Sequence, residues 1–400
     1  MNVVFAVPPS GKRRVARDLL HGCWCWGARI GGATFPPTGL AVLATLLRRM
    51  GIAAHVVDPA AGQTADWGRV DWVVVLTSTP AFRSDAEWVL ALKRRHPRLR
   101  ALWFGAHPTF RPRDVLASEA VDRILVGEPE VALPAFFRCG TAVGVYGKER
   151  LGGERMSLRW AQRPADLDAL PVADRGLLAD TRHYPNPFLA SPYATMTTSR
   201  GCPGRCRFCT VPAFYGRRYR AQSAGRVVDE MSALARAGVR RIFFRDEEFG
   251  RDEERVAAIC EEILRRGVKV SWICSLRADS AGGETLRLMR RAGCRMVRIG
   301  VESGSQRTLD RAAKGITLDD VRRTFRACRD AGLRTHAHFI LGLPGETDSD
   351  IRKTVRFALE LRPTYATFGW FYPFPGSAWG QRAAVGQPPG DLEGLHYRSV

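Results

Sequence analysis

The sequence predicts an α/β protein built from two consecutive parallel-sheet regions. Two observations support this: short apolar runs alternate with amphipathic helical stretches along most of the chain, and many of these runs end in glycine or small polar residues. A chain of 400 residues is long enough for two domains. We divide it into a doubly wound, Rossmann-like parallel sheet (1–140), a linker (141–190), a partial (β/α)6 barrel of the TIM type (191–385) and a C-terminal tail (386–400).

The composition indicates a folded protein rather than a disordered or membrane-spanning one. It is 45% hydrophobic and 25% charged, which is enough apolar material for buried cores. The sequence contains no apolar run of 18 or more residues and no N-terminal signal pattern, so we expect a cytoplasmic protein without a membrane span. Ten cysteines in that compartment are not expected to form a disulfide framework.

The formal net charge of +21 raises the question of an anionic partner. Nearly all of the 61 basic residues are arginines, and many form Arg-Arg pairs in helical stretches rather than one basic tract. Examples are Arg48-Arg49, Arg94-Arg95, Arg265-Arg266, Arg290-Arg291 and Arg322-Arg323. Because the charge is dispersed, the sequence does not favour nucleic-acid binding.

The first region alternates strands with helices. Apolar runs predict strands at 3–7, 53–57, 72–76, 99–104 and 123–126. Amphipathic stretches predict helices at 37–50, 83–95 and 130–137. This alternation predicts a doubly wound parallel sheet, which binds ligands at the carboxyl ends of its strands.

Small, hydroxylic and glycine residues follow three of these predicted strands. They are Thr77, Ser78 and Thr79, then Gly105 and His107, then Gly127 and Glu128. Glycine and short side chains allow a large flat ligand to approach the backbone closely. The sequence therefore predicts a binding site at this edge of the sheet.

The segment 21–32 interrupts the sheet pattern with glycines, tryptophans and the pair Cys23-x-Cys25. Three interpretations remain open: a lid or substrate contact, ordinary packing, and a soft metal or redox site. Two cysteines one residue apart chelate a metal poorly unless distant residues complete the site.

After residue 139 the pattern passes through a connecting segment into a regular strand and helix repeat. Glycine and weak alternation predict a hairpin within 139–160, and the prolines of 184–187 predict an ordered linker. Six strands are then predicted at 193–199, 240–245, 269–275, 296–302, 334–341 and 365–372. Helices are predicted at 224–237, 252–266, 283–292, 306–313, 318–331 and 348–361. Six parallel strands form an incomplete barrel whose functional residues are expected at the carboxyl ends of the strands.

Cys202, Cys206 and Cys209 form a Cys-x3-Cys-x2-Cys group directly after the first of these strands. Three thiols on one open loop can bind three irons of a cubane iron-sulfur cluster and leave the fourth iron open to a small molecule. A zinc knuckle is an alternative, although no fourth cysteine or histidine lies close by. Three buried structural thiols are another, because cysteine is often a small core residue.

The cysteine spacing, with Phe208 just before the last thiol, resembles the signature of the radical S-adenosylmethionine (SAM) superfamily. This resemblance implies that Cys202, Cys206 and Cys209 are catalytic residues that hold a [4Fe-4S] cluster. It also implies that SAM is bound and cleaved to a 5′-deoxyadenosyl radical. Phe208 is then a cofactor contact, and an external electron donor of the flavodoxin or ferredoxin type is required.

The same resemblance assigns cofactor contacts to the ends of the barrel strands. Asp246, Glu247 and Glu248 stand where many members have Gly-Gly-Glu, and Asp246 and Glu247 are the candidates for the SAM ammonium group; a solvated acidic helix start is the alternative. The remaining candidates are Ser275 and Arg277 after the third strand, Glu302 and Ser303 after the fourth, and Ile340 in the fifth, beside adenine.

The first region resembles the cobalamin-binding domain of class B radical SAM enzymes. The resemblance rests on the segments 36–40, 79–80, 105–109 and 127–128 taken together. It implies cobalamin as a further cofactor, held at the strand ends by Thr77, Ser78, Thr79, Gly105, His107, Gly127 and Glu128. The Asp-x-His-x-x-Gly pattern that gives cobalt a histidine in many such proteins is not found. The side chain of His107 lies near the corrin, or it is a turn histidine satisfied by local backbone.

These resemblances predict a cobalamin-dependent radical SAM methyltransferase that acts on an unactivated sp3 carbon of a small molecule, such as a secondary metabolite. One alternative is a radical SAM enzyme that catalyses cyclisation, rearrangement or oxidation without methyl transfer. Another is a non-enzymatic iron-sulfur protein or a basic RNA-binding module. The aromatic segment 370–376 either closes over substrate or seals the core, and a partner or second copy of the chain is a candidate to complete the C-terminal side.

Overall fold

A computed structural model describes residues 1–9, 34–152 and 157–383. The chain divides into two compact units, one formed by Met1–Phe188 and the other beginning at Leu189. The pair Cys23 and Cys25 and the predicted tail lie outside the described residues. Among the residues described, no helix is both long and apolar enough to pass through a bilayer.

The first unit contains a six-stranded sheet. Its strands are β1 (Asn2–Ala6), β2 (Ala53–Val57), β3 (Trp72–Leu76), β4 (Arg100–Phe104), β5 (Arg123–Leu125) and β6 (Val145–Gly147). The strand order is β2-β1-β3-β4-β5-β6, and only β6 runs antiparallel to its neighbour. The order reverses between β1 and β3, so the ligand-binding crevice of such a sheet is expected at their carboxyl ends.

Helices cover both faces of this sheet. They are α1 (Thr38–Arg49), α2 (Phe82–Arg95), α3 (Ala106–Phe110), α4 (Pro112–Leu116) and α5 (Pro129–Cys139). Successive strand residues enter different cores: Phe5 and Val74 belong to one apolar cluster, and Val4 and Val75 to the other. Burial of both faces explains why the strands read as continuous apolar runs, and it confirms the predicted doubly wound fold.

Residues 141–188 belong to the first unit rather than to a separate linker. Among the described residues of the stretch where a hairpin was predicted, β6 is the one strand, and residues 157–160 are not a strand. The apolar side chains of Ala161, Ala173 and Leu177 enter the core of the first unit. The prolines and glycines prevent regular structure here, but the buried side chains still fix the segment on the sheet.

The second unit contains a second six-stranded sheet, in which all strands are parallel. They are β7 (Ala194–Met196), β10 (Arg241–Phe244), β11 (Ser271–Leu276), β12 (Cys294–Glu302), β13 (Arg334–Leu341) and β14 (Tyr365–Trp370). They lie side by side in chain order, as a partial (β/α)6 barrel requires. The sequence did not predict the short antiparallel ribbon formed by β8 (Ser199–Arg200) and β9 (Arg220–Ala221).

Six helices follow the strands of this sheet and pack on its outer face: α7 (Ala224–Arg236), α8 (Glu253–Arg265), α9 (Gly283–Arg291), α10 (Gln306–Arg311), α11 (Leu318–Asp330) and α12 (Asp348–Leu361). Two short helices, α6 (Val211–Phe214) and α13 (Ala378–Ala383), contribute no residue to that outer core. Two helix starts are fixed by capping boxes, Thr317 with Asp320 and Thr347 with Asp350. These caps explain why the sequence located α11 and α12 within one residue.

Trp272 on β11 provides a test of the outer barrel core. Its ring is fully buried against Phe244 and Phe249, and its Nε1 donates to the carbonyl of Ala292 at 2.9 Å. We expect Trp272→Ala to lower the free energy of unfolding by about 3–5 kcal/mol, because it leaves a cavity. Trp370→Ala, at a position that is 40% exposed, should cost less than about 1 kcal/mol in the same chemical denaturation series. Equal losses in both variants would contradict the assigned core.

Candidate active site

The base of the cysteine loop is held by Asp246, which follows β10. Its Oδ1 accepts from the amide of Thr198 at 2.6 Å, and its Oδ2 accepts from the hydroxyls of Thr198 at 2.6 Å and Ser199 at 2.7 Å. Arg255 on α8 donates to the same Thr198 hydroxyl at 2.9 Å. Asp246 is buried, so its two oxygens serve the loop. The structure thus shows Asp246 supporting the loop, and its contact with the SAM ammonium group stays a prediction.

The loop itself is fixed by backbone contacts. Gly201 has a φ of +85°, and a Cβ there would lie 2.2 Å from the carbonyl oxygen of Arg218, so only glycine fits. The amide of Arg207 donates to the carbonyl of Ala312 at 2.9 Å, and the carbonyl of Arg207 accepts from the amide of Trp379 at 3.0 Å. The cysteines are therefore carried by a loop whose path other elements determine.

Cys202, Cys206 and Cys209 are brought together on this loop as free thiols. A Cβ built on Gly204 would lie 3.2 Å from the Sγ of Cys202 and 3.8 Å from the Sγ of Cys206. Burial raises the pKa of Cys202 to about 11, and the nearby Glu248 carboxylate adds to the shift. Burial also raises the pKa of Cys209, and the other two thiols contribute. The thiols are thus close enough to influence one another electrostatically.

Three thiols on one loop are the donor set that an iron-sulfur cluster uses. In a four-iron cube each cysteine meets a different iron, so the thiols surround a larger body. Thiols with raised pKa values become ligands only when a metal stabilises the thiolate, as iron does. The donor set therefore fits an iron-sulfur cluster.

Glu248 lies beside the first cysteine. The Sγ of Cys202 donates to Glu248 Oε2 at 3.3 Å, and the Nε of Arg277 lies 3.7 Å from Glu248 Oε1. Burial raises the pKa of Glu248, while Arg277 opposes the shift. Arg277 also binds Asp279 through two hydrogen bonds and donates to the carbonyl of Lys314 at 2.9 Å. Arg277 thereby joins the acidic side of the site to the segment after α10.

The predicted residue Glu302 forms a buried ion pair at the end of β12. Its Oε1 accepts from Lys314 Nζ at 2.7 Å. Burial lowers the pKa of Lys314, but the charges of Glu302 and Cys206 outweigh it, so the net shift is upward. Glu302 has a φ of 68°, and the pairing of β12 with β13 shifts register between Gly300 and Glu302. This bulge re-aims the carboxylate and places it beside the lysine.

Two further predicted residues meet in one apolar cluster. Phe208 from the cysteine loop and Ile340 from β13 pack with Leu343, Phe371 and Trp379. Phe208 and Ile340 are more than a hundred residues apart in the chain, and both were predicted to contact SAM. The fold brings them into one cluster. Phe371, from the predicted aromatic segment, seals this cluster.

The remaining predicted barrel residues occupy different positions. Ser303 is fully buried; its hydroxyl lies 3.1 Å from that of Thr354 on α12 and accepts from the amide of Ser305 at 3.2 Å. It thereby anchors the loop after β12, and its contact with SAM stays a prediction. Ser275 pairs in register with Arg298 on the inner face of the sheet. The half-buried Glu247 contributes to the raised pKa of Cys209, which places it on the cluster side.

The strand ends of the first unit, where the sequence predicts ligand binding, form a glycine-containing cradle. Gly105 has a φ of +112°, and a Cβ there would lie 2.4 Å from the carbonyl oxygen of Thr77. The hydroxyl of Thr109 donates to the carbonyl of Gly105 at 2.7 Å and accepts from the amide of Gly127 at 3.1 Å. Thr77 in turn donates to Asp85 at 2.7 Å. The loops after β3, β4 and β5 are therefore joined into one rigid edge.

The polar residues of this edge differ in their contacts. His107 Nδ1 lies 3.2 Å from the hydroxyl of Thr79, and burial, aided by Arg111, lowers the pKa of His107 to about 3. Glu128 is buried 3.4 Å from the Nε of Arg163. The buried hydroxyl of Ser78 has no hydrogen-bond partner in the part of the chain that the structure describes. A glycine cradle with an unsatisfied hydroxyl fits a large ligand that approaches the backbone.

Residues 196–358, which contain the cysteine loop and four complete strands of the barrel sheet, β10 to β13, match the family model of the radical SAM superfamily. The chain carries a radical SAM domain. The resemblance drawn from the cysteine spacing is thereby confirmed.

Curated relatives extend the similarity of this radical SAM protein beyond that domain. An uncharacterized methyltransferase of Pyrococcus horikoshii is 28% identical over 368 residues, which cover 87% of this chain and 78% of the relative. An anaerobic magnesium-protoporphyrin IX monomethyl ester cyclase of Cereibacter sphaeroides is 28% identical over 372 residues, which cover 87% of this chain and 60% of that relative.

A solved structure shares the fold. The radical SAM methyltransferase TsrM of Kitasatospora setae, with cobalamin and a [4Fe-4S] cluster bound, matches with a TM-score of 0.72 at 20% identity. The match covers 98% of this chain and 80% of that chain. At this identity the likeness concerns the fold, and it agrees with the two-unit α/β architecture predicted for this radical SAM protein.

Sequence reasoning missed two residues of the radical SAM site. Glu248 was passed over because Asp246 and Glu247 precede it in one acidic run, and only the fold shows which carboxylate reaches Cys202. Lys314 lies in a loop, where lysines are usually exposed, yet here it is buried. Glu248 lies three residues after the predicted end of the strand at 245, and this position could have indicated it. No signal in the sequence indicated Lys314.

The role of Asp246 can be tested directly. We expect Asp246→Ala to lower the free energy of unfolding by about 1–3 kcal/mol and to reduce the iron bound per chain, because Thr198 and Ser199 lose their acceptor. Asp246→Asn keeps one carbonyl oxygen, so its stability and iron content should lie between those of the wild type and of Asp246→Ala. The control is Asp319→Ala, which removes an exposed carboxylate. An Asp246→Ala protein with normal stability and iron content but impaired SAM binding would contradict the supporting role and favour the predicted contact with SAM.

Proposed function

We propose that the protein is a cobalamin-dependent radical SAM enzyme that transfers a methyl group to an unactivated sp3 carbon of a small molecule. The observation that carries the proposal is the gathering of three thiols, Glu248 and the Glu302–Lys314 pair around one loop of a radical SAM domain. Similarity to methyltransferases over most of the chain supports the reaction type.

The three cysteines would hold the cluster, and the charged residues would hold SAM. When bound, a reduced [4Fe-4S] cluster with SAM supplies a 5′-deoxyadenosyl radical, and cobalamin supplies a methyl carrier. The task of the chain is to position these groups and to keep water away from them. Cys202, Cys206 and Cys209 provide three ligands from one fixed loop, which leaves one iron for SAM.

The charges of the site complement those of SAM. Glu248, with Glu247 nearby, would accept the SAM ammonium group, which is supported by the position of both carboxylates on the cluster side. Lys314 would bind the SAM carboxylate, which is supported by its buried charge close to Cys206. Glu302 would bind the ribose. The amino-acid part of SAM is a zwitterion, so acidic residues stabilise its ammonium group and a basic residue stabilises its carboxylate.

The apolar contacts fit the remaining part of SAM. Phe208 and Ile340 share one cluster, and the backbone of β13 ends there. A flat adenine ring is well held by aromatic and aliphatic side chains together with backbone groups. This is the position that the sequence predicted for Ile340.

Cobalamin would bind the cradle of the first unit. Gly105 and Gly127 allow close approach to the backbone, and the Ser78 hydroxyl supplies a hydrogen-bonding group. His107, held neutral by burial and engaged with Thr79, belongs to the wall of this edge. Because Asp-x-His-x-x-Gly is absent, cobalt would lack that histidine as a lower ligand.

A second candidate reaction is oxidative ring formation without methyl transfer. It is favoured by the 28% identity to the magnesium-protoporphyrin ester cyclase over 87% of this chain. Both candidates use the same three cysteines and the same SAM contacts. They differ only in the fate of the substrate radical.

The proposed reaction also has requirements for partner proteins and for the cellular compartment. It requires a one-electron donor of the flavodoxin or ferredoxin type and a reducing compartment, which we propose is the cytoplasm. A partner or a second copy of the chain is proposed to enclose the substrate. Chemical cross-linking of the purified protein tests the second copy.

Reconstitution tests the reaction class. We expect the reconstituted protein, given SAM and a reductant, to form 5′-deoxyadenosine, and Cys206→Ala to reduce the rate at least about a hundredfold because the cluster loses a ligand. Cys139→Ala, which removes an exposed thiol in the first unit, should retain the rate. Wild-type protein with an intact cluster but no 5′-deoxyadenosine would favour the non-enzymatic alternative. With substrate present, a product that has gained one methyl group supports transfer, and a product that has lost hydrogen supports oxidation.

Lys314 provides a test of SAM recognition. We expect Lys314→Met to weaken SAM binding by roughly 10- to 100-fold, because a charge-assisted hydrogen bond to the carboxylate is lost. The control is Lys353→Met, at an exposed lysine on α12. Equilibrium binding to the cluster-loaded protein provides the measurement, and cluster absorbance confirms that the variant is folded. Unchanged SAM affinity in a folded Lys314→Met protein would remove Lys314 from the site.

A further inference from the structure

The segment around the cysteine loop carries positive charge that no acidic residue of the same segment balances. From residue 181 to residue 228 the chain contains eight arginines and no aspartate or glutamate, although acidic residues occupy 40 of the 400 positions overall. Four exposed members of this set, termed the loop arginines, are Arg205, Arg207, Arg217 and Arg218. The loop that carries the three thiols is therefore bordered by exposed positive charge.

The loop arginines form no ion pair with any residue that the structure describes. Other exposed arginines do: Arg265 and Arg266 on α8 both bind Glu262. Arg217 donates to the carbonyl of Pro203 at 2.9 Å, which holds its guanidinium against the cysteine loop. An exposed guanidinium that pairs with no carboxylate of its own chain remains available to an anionic surface.

Backbone contacts keep the loop arginines close to the thiols. Arg205 directly precedes Cys206 in the chain. The amide of Cys202 donates to the carbonyl of Gly216 at 3.2 Å, so the two arginines that follow Gly216 begin beside the first cysteine. The three cysteines are half-buried rather than enclosed. The positive charges therefore lie next to the edge of a cluster that these thiols would hold.

The acidic residues of neighbouring elements are engaged within the second unit. Glu248 is buried and accepts from Cys202. Asp252 caps the start of α8, and Glu253 accepts from the amide of Gly282 at 2.8 Å. These contacts hold the carboxylates on the α8 side of the loop, where they border the basic surface instead of neutralising it.

The chemistry of the loop determines which kind of partner fits this surface. The cluster of the proposed enzyme needs an electron from outside the protein, and an electron passes quickly only between centres that are close together. The carrier must therefore dock next to the cluster. Transient redox complexes bury little area, so complementary charge largely sets how fast they form.

We propose that the loop arginines are the docking surface for a small acidic electron-carrier protein. In each encounter the reduced flavin or iron-sulfur centre of the carrier loses one electron, and the cluster gains it. The inference rests on the proposed function, because it requires that the three cysteines hold a redox-active cluster. It adds to the required electron donor a docking position and the sign of its surface charge.

The test compares two variants with the same change in net charge. Arg205→Gln with Arg218→Gln removes two charges beside the cluster, and Arg287→Gln with Arg291→Gln removes two exposed charges on α9. The probe is a reduced recombinant bacterial flavodoxin, whose reaction with the reconstituted full chain is followed by stopped-flow absorbance at low ionic strength. We expect the first variant to lower the second-order rate about tenfold or more, and the second to react like the wild type.

Two further measurements identify docking as the cause. The affinity for fluorescently labelled flavodoxin should fall in parallel with the rate, and added salt should reduce the difference between the wild type and the first variant. Reduced methyl viologen is a cationic donor that arginines do not attract. With this donor the deficit of the first variant in 5′-deoxyadenosine formation should largely disappear.

The outcomes separate this inference from the proposed function. Equal flavodoxin rates and affinities for the wild type and a folded Arg205→Gln, Arg218→Gln protein overturn the docking surface. A loss of affinity for an RNA hairpin alone also overturns it and assigns the arginines to nucleic acid. If that variant binds less iron, Arg217→Gln with Arg218→Gln is judged by the same affinity measurement.

The wild type with methyl viologen tests the proposed function by itself. Absence of 5′-deoxyadenosine from a preparation with an intact cluster would defeat the proposed function. A flavodoxin affinity that depends on the loop arginines would still identify a docking surface for an acidic protein in that case.

Discussion

The carboxylate of Asp246 is the interaction on which the rest of the site depends. It connects the end of β10 to Thr198 and Ser199, from which the cysteine loop begins. A carboxylate suits this position because two oxygens can accept several hydrogen bonds at once, and a buried charge is tolerated when it is fully hydrogen-bonded. The end of β10 thereby fixes the position of the loop that carries the three thiols.

From that fixed loop a chain of polar contacts extends across the barrel mouth. Cys202 contacts Glu248, Glu248 lies near Arg277, and Arg277 binds the carbonyl of Lys314, whose ammonium binds Glu302. Residues from β10, β11, β12 and the loop after α10 are therefore coupled. Partly buried networks of this kind hold side chains in defined orientations, which a reaction on a reactive intermediate requires.

The sequence located most strands of both sheets closely because they are short apolar runs that end in glycine or polar residues, and in the first sheet most of these runs are buried on both faces. The cysteine loop was equally readable, since its three ligands are local in the chain. The sequence did not show which carboxylate lies beside Cys202, because three consecutive acidic residues fit the same pattern. The position at which β10 ends determines which of them faces the thiol. The burial of Lys314 and the boundary between the two units could not be predicted because both depend on tertiary packing. Residues 141–188 have the composition of a linker, yet Ala161 and Leu177 enter the core of the first unit.

The backbone of Glu302 shows a balance between stability and activity. A glutamate with a φ of 68° costs roughly 1–3 kcal/mol relative to ordinary backbone conformations. Glycine would remove that cost but would also remove the carboxylate and leave the Lys314 ammonium buried without it. Selection for folding alone would therefore favour neither Glu302 nor Lys314, and the two must be retained or replaced together. Their joint presence or joint absence in other chains of this fold would separate those that kept the cofactor from those that kept only the barrel.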